Sequence, residues 1–329
     1  LNDSHIFGRA QITLYDSIIR PITEYLKKKG VDFWHQAKIK AIVTDQCDDR
    51  TTVTRIDIYS EEGKDIYFTV LPDNICIINL GPIASTVALG SNFTSPERLG
   101  SLVEGVLNPD WLLWYEMSSK SLTLGNPSNF CSRLGESNLV TFTTTLKNSS
   151  FIELYTRLTG NQPGSGAFMT LGDSNWCLTI NVPQQPVFHS QPDNVHVIWG
   201  YGLNSHNDGN FILKPMYNCT GEEIIKELLS HLHFPLNPIL ESSITIPCLI
   251  PYATSAMVTR KEGDRPEVIP PGTTNTGIVG QFVEIPDETT FSMEYSVRGA
   301  QLAVSRLMGA KEPKKSKRNR LLGAFDVLA

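Results

Sequence analysis

The chain has 329 residues, of which 40% are hydrophobic and 19% charged, with a formal net charge of −6. This is the composition of a soluble globular chain of one large or two ordinary domains; it argues against a disordered polyelectrolyte and gives no global basis for binding nucleic acid. The six cysteines (Cys47, Cys76, Cys131, Cys177, Cys219 and Cys248) are scattered, with no CxxC and no histidine at metal-ligand spacing, so neither a disulfide framework nor a zinc site is expected.

In chain order, the stretch "YDSIIRPITEYLKKKGVDF" reads as a helix. Tyr15, Ile18, Ile19, Ile22, Tyr25 and Leu26 share a face, and Gly30 stops the helix after three lysines. Pro21 predicts a kink or a helix start near it. "AKIKAIVTD", "TVTRIDIYS" and "KDIYFTVLP" predict a three-stranded meander, and "DNICIINLG" a short buried strand that turns at Gly81-Pro82. "ICIINLGPIASTVALG" is the most apolar window, too short and too polar to cross a membrane.

From Asn92 to about Pro270 the texture is mixed. "SPERLGSLVEGVL" and "GEEIIKELLSHLHF" read as helices, and "LVTFTTTL", "WCLTINV" and "VHVIWGYGL" as strands. Last come the strand "TGIVG", a helix from about Thr290 to Met308, and Gly309 as its stop. The order predicts one domain that the chain leaves and re-enters, interrupted by a second.

Met293, Val297, Ala300, Val304 and Leu307 are spaced as one face of the last helix, and Gly299, Ala300 and Ala303 would let it lie close on a sheet. Its N-terminus, following "GQFVEIP", could receive a phosphate or a flavin edge; plain helix–sheet packing accounts for the same pattern. Gly164 and Gly166 form a GxG, but Met169 stands where a dinucleotide fingerprint needs glycine. His206, His231 and His233 lack triad or metal spacing and read as structural or solvated. No GxSxG, P-loop or HExxH occurs. The tail "KEPKKSKRNR" sets six basic residues against Glu312 and leads into "LLGAF", a pattern of either a solvated end or peripheral contact with an anionic bilayer. The sequons at Asn2, Asn92, Asn148 and Asn218 read as chance matches, and a cytoplasmic location is expected. The chain opens on Leu1 rather than Met and reads as a fragment or a trimmed chain.

Taken together, "RLTGNQPGSGAFMTLGDSNW", "VIWGYGL", "CTGEEIIKELLSHL", "IPCLIPYATS", "GDRPEVIPPGTTNTGIVGQFVEIPDETTFSMEYSVRGAQLAV" and "YDSIIRPITEYLKKKGVDF" resemble the oleate hydratase family, also called myosin-cross-reactive antigens, in the family's order from about Tyr15 to Met308. The resemblance implies an α/β fold: a partial glutathione-reductase-like FAD domain (β-meander, return strand and helix) with an inserted mixed α+β substrate domain. Residues 1–90 and 271–309 would form the FAD part, 91–270 the fatty-acid part and 310–329 the basic tail.

It further implies an FAD-dependent hydro-lyase. Such an enzyme adds water to the cis double bond of an unsaturated free fatty acid such as oleate or linoleate, with the flavin acting structurally and electrostatically. A homodimer is compatible with the resemblance; a nucleic-acid partner is not implied.

The family motif carries flavin contacts onto Leu80, Gly81, Gly280, Gln281, Phe282, Glu284, Phe291 and Ser292. Pro82 departs from a position where the family commonly has serine. The family's carboxylate-binding strand matches "NVPQQPVF", where Asn181 is the side chain left to hydrogen-bond, with Gln184 and Gln185 near it. The family's GxGxxG loop, catalytic acid and catalytic tyrosine match nothing in these residues and are expected upstream of Leu1, so the chain as written is expected neither to hold FAD tightly nor to hydrate oleate. The alternatives are a flavin-dependent fatty-acid oxidoreductase or isomerase, and a non-catalytic fatty-acid-binding remnant.

Overall fold

A computed structural model describes residues 13–35, 37–59, 65–81, 83, 87–97, 109–137, 139–165, 168–286, 288 and 293–312. The helices are α1 (Arg20–Lys28), α2 (Pro109–Lys120), α3 (Ser128–Cys131), α4 (Ser150–Thr159), α5 (Gly221–His231), α6 (Leu236–Leu240), α7 (Thr254–Met257) and α8 (Met293–Leu307). The strands are β1 (Lys38–Cys47), β2 (Arg50–Tyr59), β3 (Asp65–Thr69), β4 (Cys76–Asn79), β5 (Ala88–Leu89), β6 (Leu139–Leu146), β7 (Met169–Thr170), β8 (Leu178–Asn181), β9 (His196–Gly202), β10 (Ser243–Ile250) and β11 (Thr276–Val279). The fold is mixed α/β. Its contacts form two units, Leu1–Phe33 with Val87–Val103 and Asn138–Pro251, and Trp34–Thr86 with Glu104–Ser137 and Tyr252–Ala329.

The first unit is built on an antiparallel sheet ordered β5-β10-β6-β9-β8-β7. Alternation in β6 buries Val140, Phe142, Thr144 and Leu146 on one face. That inner face shares a core with Phe151 and Tyr155 of α4, with Ile224, Ile225, Leu228 and Leu229 of α5, and with Ile239 of α6. Each such side chain contributes about 1.5–3 kcal/mol by burial. Helix α5 begins with a capping box: Glu223 N donates to Thr220 Oγ1 (3.3 Å) and Thr220 N to Glu223 Oε2 (2.8 Å), which satisfies two otherwise orphaned donors.

Near the other end of α5, Glu227 is fully buried. Its carboxylate accepts the backbone N–H of Asn210 (2.7 Å), Phe211 (2.9 Å) and Ile212 (2.7 Å). His231 Nε2 lies 3.3 Å from Glu227 Oε1, in a geometry that makes no hydrogen bond.

Ahead of this sheet, Pro21 is the second residue of α1, which continues without a break from the turn before it. The residues before it, Tyr15–Ile19, form a π-helical turn. Thr13 N donates to Val187 O (3.0 Å).

The second unit holds the expected meander, β1-β2-β3, and a separate parallel pair of β4 with β11. The side chain of Asn275, 5% exposed, joins the two. Its Oδ1 accepts from Val53 N and its Nδ2 donates to Val53 O, both at 2.9 Å, so one amide completes the backbone pairing of β2.

Helix α8 packs on β11, but not by the stripe expected from its spacing. Tyr295, Gly299, Leu302 and Ala303 are buried, whereas Met293, Val297, Ala300 and Val304 face outward. The reason is steric. The helix approaches so closely that an added Cβ on Gly277 would lie 3.1 Å from Ala303 and Leu307, and one on Gly299 would lie 3.4 Å from Ile285, so the small residues must face inward. The helix expected from Ser95 falls mostly within 98–107, outside the described residues.

Burial also sets thiol chemistry. It pushes the Cys219 thiol up to about 12, with Glu223 adding to the effect. At pH 8 Cys219 is therefore a neutral thiol, whereas Cys47 is exposed. Iodoacetamide at pH 8 should label Cys47 and leave Cys219 unmodified until denaturant is added, as peptide mass mapping would show; equal labelling of the two would refute the burial argument.

Candidate functional site

The parallel strands β4 and β11 run in register from Cys76↔Thr276 to Asn79↔Val279, so the chain leaves both at the same end, through Leu80-Gly81 and Gly280-Gln281-Phe282. The structure thus brings these five expected residues together. Gly81 (φ +63°) lies against the Phe282 ring, 2.8 Å from where a Cβ would stand. Gly280 (φ +102°) lies against the Asn79 side chain. Both conformations favour glycine.

Leu80 and Phe282 are core residues, 2% and 1% exposed. Phe282 packs in an aromatic cluster with Trp111 (centroids 5.0 Å), Trp114 (5.6 Å) and Phe130 (5.2 Å). Gln281 and Glu284 are half-buried. Ser255 Oγ donates to Gln281 Oε1 (3.3 Å), and Arg260 donates to both oxygens of Glu284, each at 3.2 Å. A flavin at this end would meet the half-buried side chains of Gln281 and Glu284, because Leu80 and Phe282 are core residues. Phe291 and Ser292 lie outside the described residues, as does Pro82.

Behind Glu284 is a cavity of about 580 Å³ bordered by Arg265, Val268, Ile285 and Leu302. Arg265 is 3% exposed. Its Nη2 donates to Ser255 O, and its Nε and Nη1 have no hydrogen-bond partner among the described residues. Desolvation, with Arg260 next, lowers its pKa.

In the first unit the outer face of the sheet carries the other expected residues. Side chains directly opposite on paired strands share a face. Asn181↔Trp199↔Thr143↔Ile246 therefore form one row, and Thr179↔Tyr201↔Thr141↔Cys248 the next. Asn181 is 4% exposed. Phe168 packs edge-on against Trp199 (5.3 Å) beside it.

At the far side of the same face, Ile244 and Ile246 border a groove of about 600 Å³ with Phe93, Leu240 and Lys147. Neighbouring strands lie ~4.8 Å apart, so the row from Asn181 to Ile246 spans roughly 15 Å. Trp199 and Ile246 give this row apolar surface on either side of the exposed Thr143, with the Asn181 amide at one end.

Gln185 takes no part in that face. Its Nε2 donates to Pro183 O and Val197 O, and its Oε1 accepts from Val197 N and Gln191 Nε2, at 2.8–3.0 Å. Gln191 completes the staple by accepting from Val187 N (2.8 Å) and donating to Val195 O (2.7 Å). Gln184 is exposed, with its backbone and Cβ against Gly164. Sequence reasoning missed Gln191, Trp199 and the groove. The strand pattern of "VHVIWGYGL" placed Trp199 and Tyr201 on one side, and only the register with β8 sets them beside Asn181 and Thr179.

Among the described residues no group of His, Cys, Asp and Glu is placed to hold a metal, and no helix is long and apolar enough to cross a membrane. A family model described as the MCRA family matches residues 1–305. The chain is similar to an oleate hydratase of Streptococcus pyogenes serotype M49 (strain NZ131), 33% identical over 303 residues, covering 88% of this chain and 50% of that protein. It is also similar to a linoleate hydratase of Lactiplantibacillus plantarum, 29% identical over 331 residues, covering 93% of this chain and 57% of that protein. The chain thus spans a little over half, at most, of the curated relatives it matches.

Proposed function

The chain belongs to the MCRA family, and from that premise we propose that its first unit is the fatty-acid-holding part of an FAD-dependent hydratase acting on unsaturated free fatty acids. The observation that carries the reading is the outer sheet face, where Asn181 stands at the end of a row that runs through Trp199 and Thr143 to Ile246. The amide donates to the carboxylate of the fatty acid. The face and the groove beside Ile244 exclude water from the tail. The second unit supplies a wall for the flavin through Gln281 and Glu284, and Leu80, Gly81, Gly280 and Phe282 hold that wall by packing. Protonating an isolated alkene needs a strong acid in a dry pocket. These 329 residues contain neither a GxGxxG loop nor a matching acid, so the proton and the water are delivered by groups outside them. The basic tail keeps the protein near the lipid phase that supplies the substrate.

Oleate titrated into the purified chain should quench Trp199 fluorescence, and Asn181→Leu should weaken binding about tenfold, the worth of one charge-assisted hydrogen bond. The same preparation should be colourless and should add no water to linoleate by mass spectrometry. A stoichiometric yellow flavin would overturn the cofactor part of the reading. Equal oleate affinity of Asn181→Leu and the wild type would overturn the placing of the carboxylate.

A further inference from the structure

We propose that the first helix, with the turn before it, is a docking surface for an anionic lipid bilayer. Leu14, Tyr15, Ile18, Ile19, Ile22 and Tyr25 are 39%, 62%, 42%, 47%, 52% and 59% exposed. They lie on consecutive turns, Leu14 at the cap of the π-helical turn, Tyr15, Ile18 and Ile19 on it, and Ile22 and Tyr25 on α1, and recur at intervals of three and four residues from Tyr15 on, an apolar stripe rather than scattered surface hydrophobics.

The remaining circumference carries Asp16, Arg20, Glu24, Lys27 and Lys28, while Lys29, at the C-terminal end, falls in line with the stripe. Asp16 is neutralised by Arg20 at 3.2 Å, and Lys29 reaches back with its ammonium 5.6 Å above the Tyr25 ring, its stem along apolar surface and its charge at the edge. Four cations against two carboxylates, with three of the cations consecutive at one end, complement phosphate headgroups. An apolar stripe opposed to a basic face, on a helix whose remaining positions are mostly charged, is the pattern of a helix lying in the plane of a membrane interface. Burying the stripe in the acyl boundary would leave Lys27 and Lys28 at headgroup level.

The proposal names a surface distinct from the basic tail and does not need the hydratase reading, because the test uses vesicles free of fatty acid and flavin. The purified 329-residue chain is sedimented with phosphatidylglycerol-rich and with pure phosphatidylcholine vesicles. The wild type should pellet with the first at low salt and much less with the second. The double variant Ile18→Glu/Ile22→Glu should partition about tenfold less strongly, with an unchanged circular-dichroism spectrum because both sites are solvent-facing. A second variant, Lys27→Glu/Lys28→Glu, should lose the preference for phosphatidylglycerol.

Three results would overturn the proposal. The wild type could stay in the supernatant. The isoleucine variant could partition as the wild type does, which would assign binding to the tail or to the outward stripe of α8. The wild type could be a dimer in light scattering that the isoleucine variant converts to a monomer while neither binds vesicles, which would assign the stripe to a second copy of the chain.

Discussion

Replacing Glu227 by alanine is expected to remove about 4 kcal/mol of stability, enough to unfold most of the first unit at physiological temperature. The carboxylate is fully buried and receives the amides of Asn210, Phe211 and Ile212. Alanine would leave three donors in a dry site with no acceptor, at about 1–3 kcal/mol each. The glutamate thus fastens the 205–215 loop to α5, which in turn covers the sheet. Urea unfolding measures the effect. Glu223→Ala, a partly exposed capping residue, serves as the control and should cost about 1 kcal/mol. A Glu227→Ala loss no larger than that of the control would refute the role assigned to the buried carboxylate.

A second large effect is expected at Gly221, the first residue of α5. A Cβ there would run into the backbone carbonyl of Thr245 on β10 and come within 3.1 Å of Asn92 Cα. Backbone rather than a flexible side chain blocks the space, so Gly221→Ala must lift α5 off the sheet or turn the Thr245 peptide. Turning it would also swing the Ile246 N–H, which shares that peptide plane, away from its place in β10. A loss of about 3 kcal/mol or more follows, at the upper end for overpacking. The comparison is Gly172→Ala, where a Cβ would meet nothing within 4 Å and the urea midpoint should not move. If both variants unfold at the wild-type urea concentration, the close approach of α5 to β10 is wrong.

Both positions show what the sequence could and could not reveal. The strands β1 to β4, β6, β8, β9 and β11 and the helices α5 and α8 were legible because their periods and stop signals are local. Strand β10 went unread: "SITIPCLI" contains Pro247, which argues against a strand, yet the sheet accommodates it one strand from the edge. Helix α2 was also missed, because Trp111 and Trp114 are both fully buried and leave no clean polar face to read. Glu227 reads as one more solvated charge in "GEEIIKELLSHL", since the amides it serves come from a loop with no signal of its own. Gln185 reads as a free polar side chain beside Asn181 and is instead fully engaged with backbone and Gln191. The outward stripe of α8 reverses a correct period: spacing identifies a face, and only contact with Gly277 and Ile285 decides which face turns inward.

The amide of Asn275 gives the second unit a timetable. Strand β4 cannot find its partner, nor β2 its last pairing, until residues some two hundred positions later have left the ribosome. The segments 87–103 and 138–251 that complete the first unit emerge before them. Translation therefore completes the first unit while the second still lacks β11, and β4 must wait without its partner strand while the first unit folds.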